Sequence, residues 1–231
     1  MKLLIKFPTR SRPEKFAEVM KRYLSYLSGE YEVRFMINID NDDVPSYEAA
    51  EVFYNSYDNI DICCSANKSK IEAINDGLGD YDYDWDVLLL ASDDMIPIKT
   101  KYDKVILERM KAHYPDTDGV LWFNDGYVGN KLNTLSILGR KYYNRFGYIY
   151  HPAYTSLWCD NEFMTVANLL KKQTYFKEVI IKHDHPNNIR GIGMDAQYKK
   201  TESYYHVDKK VFDERRRKTF DLETINSNPN A

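Results

Sequence analysis

The segment from Asp86 to Met95 reads Asp-Val-Leu-Leu-Leu-Ala-Ser-Asp-Asp-Met, so that two carboxylates, Asp93 and Asp94, follow directly on an apolar run that reads as a buried strand. Adjacent negative charges at the end of a buried element are expensive unless something positive offsets them. Hard divalent ions such as Mn²⁺ or Mg²⁺ take one or two carboxylates together with phosphate oxygens, so the pair suits a nucleotide-diphosphate site; a solvated acidic turn or a helix cap is the other use of such residues. His183 and His185 alternate on an extended segment, which turns both to one side and Asp184 to the other. They are candidate further metal ligands, with His183 favoured, or a pair of surface or substrate-binding histidines. Asp160 and Glu162 open a helix after an aromatic-rich loop, where a carboxylate can act as general base or simply favour the helix dipole.

These residues need a scaffold. Leu3 to Phe7 is a short apolar strand ended by Pro8, and Ser11-Arg-Pro-Glu14 has the form of a capping box with Ser11 as the cap. Phe16, Val19, Met20, Tyr23, Leu24 and Leu27 then recur at helical spacing. Tyr31 to Ile39 alternates as a strand up to Asp40. A helix from Pro45, a strand at 60–64, a helix at 69–78 and the strand at 87–90 continue the pattern. This alternation predicts an α/β fold, a mainly parallel central sheet flanked by helices, with its ligand crevice beyond the carboxyl ends of the strands. Polar residues gather at four such ends: Thr9 and Arg10, Asp40, Asn67 and Lys68, and Asp93 with Asp94. Residues 1–115 therefore read as a nucleotide-binding half. Residues 116–220 form a mixed acceptor half, with strands at 120–123, 135–138 and 175–181, a helix at 160–170 and a helical C-terminus. A polar tail covers 221–231.

Strand followed by Ser92-Asp93-Asp94 resembles the DXD-type motif of GT-A glycosyltransferases, above all the inverting family 2 enzymes. The opening Phe7-Pro8-Thr9-Arg10, Asp40 after the second strand and Asn67-Lys68 before a helix are similar to donor-nucleotide contacts of that family. The resemblance implies a single GT-A (Rossmann-like) domain over 1–220. Pro8, Thr9, Arg10, Asp40, Asn67, Lys68 and Asp93 would hold the donor, with Asp40 on the base and Asp93 on the ribose or sugar. Asp94 would bind the metal, helped by Asp93, His183 or His185. Ala91 stands where many members have the first aspartate of the motif, so a further ligand is required. Trp158-Cys-Asp-Asn-Glu162 resembles the acidic motif that supplies the base, assigned to Asp160 with Glu162 as fallback. The implied reaction is metal-dependent transfer from a nucleotide sugar, by family precedent a UDP-sugar, to an acceptor hydroxyl with inversion. Asp125 and Trp158 are candidate sugar contacts, since carboxylates accept hydroxyl protons and rings cover apolar sugar faces.

Composition narrows the partners. A net charge of −3 from 32 basic and 35 acidic residues gives no overall attraction for polyanions. The basic run 215–218 reads as a solvated helix end or a local phosphate contact. No stretch approaches a membrane span, and the three cysteines form no CxxC pair, so a cytoplasmic protein without a disulfide framework is expected. A glycan, a lipid-linked sugar or a hydroxymethylated DNA base would each present the acceptor hydroxyl. Two other functions fit the outline: a sugar-1-phosphate nucleotidyltransferase, disfavoured by the lack of a glycine-rich basic loop after the first strand, and an inert carbohydrate-binding protein of the same fold.

Overall fold

The computed structural model describes residues 1–185 and 196–223. β1 (Leu3–Thr9) is buried along almost its whole length, because it lies inside a sheet covered on both faces. It pairs in parallel with β2 (Val33–Asp40) and β4 (Val87–Leu90), and β2 pairs in parallel with β3 (Ile60–Ser65). Beyond β4 the sheet continues through β7 (Ile137–Gly139), β6 (Val120–Phe123) and β8 (Gln173–Phe176), giving the order β3-β2-β1-β4-β7-β6-β8. β7 is antiparallel to both of its neighbours, and β6 and β8 are parallel. The architecture is thus α/β with a mostly parallel central sheet, as the alternation of elements implied.

Successive strand residues feed opposite faces. Leu3, Ile5 and Phe7 pack with Phe16, Val19, Met20 and Tyr23 of α1 (Pro13–Ser25), Phe53 of α2 (Val44–Tyr54) and Tyr102 and Ile106 of α4 (Tyr102–His113). Leu4, Met36, Leu88 and Leu90 pack on the other face with α3 (Lys70–Asn75), α5 (Arg140–Asn144), α6 (Cys159–Leu169) and α8 (Tyr205–Arg217). α7 (Ala196–Ser203) precedes α8.

Three expectations about the elements change. Ser11 does not cap a helix: it has a left-handed φ of 58°, its N–H donates to Asp43 Oδ2 at 2.6 Å, and α1 starts at Pro13 with no side-chain cap. The capping-box pattern belongs instead to Ser69, whose Oγ accepts the Glu72 N–H, while Glu72 reaches back to the Lys68 N–H. The single strand expected at 175–181 is two strands in two sheets. β8 joins the main sheet, and β9 (Ile181–His183) pairs antiparallel with β5 (Met95–Pro97). Finally, the tail does not begin at 221: Asp221 closes a 3₁₀ turn and Leu222 is buried. Residues 224–231 lie outside the described residues. No helix among those described is long and apolar enough to cross a membrane.

Candidate active site

The carboxyl ends of β1, β2 and β4 open into a cavity of about 430 Å³, walled on the far side by the loop at 155–157, the start of α6, and α7. Pro8, Thr9, Arg10, Asp40, Asn67, Lys68, Asp93, Asp94, Asp160, His183 and His185, all singled out from sequence, line it together. At one end the Arg10 guanidinium bridges Asp40 and Asp42, the latter at 2.6 and 2.8 Å, and Asn67 Nδ2 donates to Asp40 Oδ1 at 3.1 Å and to Ser65 Oγ at 2.8 Å.

The acidic pair divides its partners. Asp93 turns to α1, with Arg12 Nη1 at 3.0 Å and Lys15 Nζ at 3.5 Å. Asp94 accepts the Ser92 hydroxyl on Oδ1 and the Tyr198 hydroxyl on Oδ2 at 2.9 Å, and His183 Nε2 stands 3.7 Å from the same Oδ2. The β5–β9 ribbon makes this approach possible by setting Met95 opposite His183, while the Asp184 N–H donates to the Asp94 carbonyl at 2.7 Å. Burial and the adjacent Asp94 push the Asp93 carboxyl above its ordinary range, against Arg12 and Lys15. For Asp94, burial raises the carboxyl, but His183, Ser92 and Lys70 together outweigh it and hold the group well below that range. The two adjacent carboxyls are thereby pushed in opposite directions, Asp93 upward and Asp94 downward.

Asp94 Oδ2 and His183 Nε2, 3.7 Å apart, are the nearest pair of metal-ligand types in the cavity to what the sequence suggested. Among the described residues no cluster of three or more His, Cys, Asp or Glu side chains is arranged to hold a metal. Asp93, expected to share the metal, is instead a counter-ion to Arg12 and Lys15, so its oxygen is already occupied by protein cations. The residues present fit a hard cation that takes two ligands from the protein and the remainder from phosphate and water. His185 also lines the cavity, its ring edge-on to Tyr198 with centroids 4.9 Å apart, and burial followed by His183 lowers its pKa. Asp184 lies off this face, bonded to the Tyr127 hydroxyl and Lys182.

Asp160 sits in the first turn of α6, with Oδ1 accepting the Asn161 N–H at 2.9 Å. Burial raises its pKa against the opposing pull of Asn161, Lys70 and His183. Glu162, the fallback base, is turned away: two residues along a helix is a rotation of about 200°. Its carboxylate is held by Arg215 Nε at 2.7 Å, Arg215 Nη2 at 2.8 Å and the Tyr154 hydroxyl at 2.6 Å. Arg215 is therefore an internal partner, whereas Arg216, Arg217 and Lys218 are exposed. The two candidate sugar contacts hold walls and do not face the cavity. Asp125 is buried, its Oδ1 collecting the N–H groups of Tyr127, Val128 and Gly129 and its Oδ2 the Thr134 hydroxyl. Trp158, at a left-handed φ of 63°, packs its ring 5.2 Å from Phe212 and 5.5 Å from Tyr205.

Arg12, Lys70, Asn38 and Tyr198 were missed by sequence reasoning, yet all line the cavity. The Arg12 guanidinium lies 4.1 Å over the Tyr198 ring, joining residues 186 positions apart, for which the sequence offers no local signal. Lys70 follows the Ser69 cap directly and could have been flagged from its place at the carboxyl end of β3.

No protein-family model matches the sequence, and no curated protein matches it. Among solved structures the chain is similar to the mannosyltransferase PcManGT of Pyrobaculum calidifontis in complex with GDP-Man and Mn²⁺, at TM-score 0.63 and 10% identity, covering 82% of this chain and 58% of that one. It is also similar to S. aureus TarS 1–349 in complex with UDP-GlcNAc, at TM-score 0.61 and 14% identity, covering 87% and 64% respectively. The chain thus spans under two thirds of either. A third likeness, TM-score 0.55 at 11% identity over 91% of this chain and all of the other, is to CMP:2-keto-3-deoxy-manno-octonic acid synthetase complexed with CTP. The chain has the GT-A type of nucleotide-binding fold.

Proposed function

We propose that this protein is a glycosyltransferase that moves a sugar from a nucleotide-sugar donor, UDP-linked by family resemblance, to an acceptor hydroxyl with inversion at the anomeric carbon. The observation that carries the reading is the meeting of Asp94, His183 and Asp160 on one cavity at the carboxyl ends of the parallel strands. The nucleobase end is formed by Asp40, Arg10 and Asn67. Asp94 and His183 would hold Mn²⁺ or Mg²⁺, which supplies positive charge to the departing diphosphate. Arg12, anchored by Asp93, adds a fixed cation in the same wall. Asp160 accepts the proton of the acceptor hydroxyl as its oxygen bonds to the anomeric carbon and the bond to the diphosphate breaks. A single displacement of this kind inverts the centre and needs no covalent enzyme intermediate.

The nucleotidyltransferase reading shares the fold, as the likeness to the synthetase indicates. Against it, no glycine-rich basic loop follows β1, and Arg10 is engaged by Asp40 and Asp42, which leaves a poor cradle for a triphosphate. A screen of nucleotide sugars with and without Mn²⁺, on wild type, Asp94→Ala and Asp160→Asn, tests the proposal. Expected are metal-dependent release of nucleoside diphosphate from one donor, its loss in Asp94→Ala, and a fall of roughly 10²- to 10⁴-fold in Asp160→Asn with nucleotide binding kept. Pyrophosphate release from a nucleoside triphosphate and a sugar phosphate would establish the nucleotidyltransferase. Neither stabilisation nor turnover with any donor would leave an inert binder.

A further inference from the structure

α8 touches the region around Asp160 at three points without touching Asp160 itself. Asp208, Phe212 and Arg215 are spaced four and three residues apart, which puts them on one stripe of the helix. Their partners run in the same order along the chain. Asp208 is wholly buried: its Oδ1 accepts the Thr155 N–H at 2.9 Å, and its Oδ2 accepts those of Ser156 at 2.8 Å and Leu157 at 2.7 Å. Phe212 packs on Trp158, and Arg215 grips Glu162. Asp160 lies between the second and third of these contacts, on the cavity side of α6, and Thr155, Ser156 and Leu157 themselves line the cavity.

Three consecutive backbone N–H groups converging on one buried carboxylate fix the path of that loop far more tightly than a single bond would. They are also the last residues before Trp158, whose left-handed backbone sets the direction in which α6 leaves. We propose that Asp208 is a positioning residue for glycosyl transfer: by tying down 155–157 it sets where the Asp160 carboxylate enters the cavity, and so governs turnover and not donor binding. The inference rests on the assignment of Asp160 as base.

The test is Asp208→Asn, which keeps the shape but points an amide N–H group at a set of N–H donors. Wild type, Asp208→Asn, Asp208→Glu and Asp160→Asn are compared for UDP affinity, for hydrolysis of the UDP-sugar found active, across about pH 5.5 to 9, and for backbone amide exchange. Expected in Asp208→Asn are unchanged UDP affinity and donor KM, a kcat lowered roughly tenfold or more, a shifted acidic limb of the pH profile, and faster exchange at 155–162 but not at 33–40. Asp208→Glu should recover part of the kcat. Should Asp208→Asn prove insoluble, Phe212→Leu loosens the same brace and should show the same split on a smaller scale. Freed amides at 155–162 with wild-type kcat and pH profile would overturn the proposal, as would UDP affinity falling in step with kcat. Wild-type turnover in Asp160→Asn would instead remove the base assignment, and with it the premise, while the exchange data still report whether Asp208 holds the loop.

Discussion

At Lys6 the chain buries an ammonium group in the middle of its central strand. The side chain is wholly buried and donates to Asn38 Oδ1 and to the Asp76 carbonyl, with Met36 Sδ at 3.7 Å. From there a polar chain runs outward: Asn38 Nδ2 and Ser65 Oγ both donate to Asp76 Oδ2, and Asn67 links Ser65 to Asp40 at one end of the cavity. Lys6 thus roots that end of the cavity. Burial lowers its pKa from 10.5 to about 7, with Cys63 and Asp76 pulling the other way. Below about pH 7 both folded and unfolded chains carry the proton, and the full cost of burying the charge is present. Between about 7 and 10.5 the unfolded chain binds the proton and the folded chain releases it, so this group makes stability rise with pH, by at most about 1.4 kcal/mol per unit. Urea midpoints of wild type and Lys6→Met, measured from about pH 6 to 9.5, should therefore differ in slope, with the variant flatter above pH 7. Parallel pH dependences in the two proteins would show that Lys6 keeps its proton throughout.

Among the elements, β7 ends in close backbone contact with the loop at Thr117. A Cβ built at Gly139 would stand 2.0 Å from the Thr117 carbonyl oxygen and 2.6 Å from its carbon, both backbone atoms that no side-chain rotation can move. Gly139→Ala should cost roughly 1 to 3 kcal/mol, read as a lower urea midpoint with an unchanged m-value, and an unchanged midpoint would mean that the 117 loop yields freely. Nothing in the sequence marks this contact, whereas other elements were plain in it. β1, β2 and β4 are buried on both faces, so their apolar runs stand out, and the Asp93–Asp94 pair could be placed at a strand end. β5 and β9 are three residues each, too short to carry a period, and lie 88 positions apart at Met95 and His183. Their pairing, which brings His183 to Asp94, exists only in three dimensions. Residue type misled where one type serves two ends: Trp158 and Asp125 suit a sugar, but here one packs on α8 and the other gathers the N–H groups of a turn. Glu162 differs from Asp160 only in the side of α6 it occupies, which the helix settles once its buried face is known.

For the whole molecule, the division near residue 115 into donor and acceptor halves does not coincide with a mechanical boundary. β4 pairs with β7 across it, and both cores mix the halves: Leu3 and Phe35 share one with Phe123 and Ile137, Leu4 and Met36 share the other with Phe163 and Phe212. A chain whose apolar contacts cross the division so often should unfold in one cooperative step. The tryptophans allow a direct check in a Trp85→Phe background, where the two that remain, Trp122 and Trp158, lie in the acceptor half while the residues expected to hold the nucleotide lie mostly in the donor half. Thermal unfolding followed by far-ultraviolet dichroism and by tryptophan fluorescence should give coincident transitions. Saturation with UDP and Mn²⁺ at about a hundredfold over Kd should add roughly 2.7 kcal/mol and move both signals together. A fluorescence transition that stays in place while the dichroism shifts would mean that the acceptor half melts independently of the nucleotide. In that case the wall carrying Asp160 would be a separate unit, held to the donor half through the β4–β7 pairing and the shared cores, and variants in α8 would act on the stability of that unit before they acted on turnover.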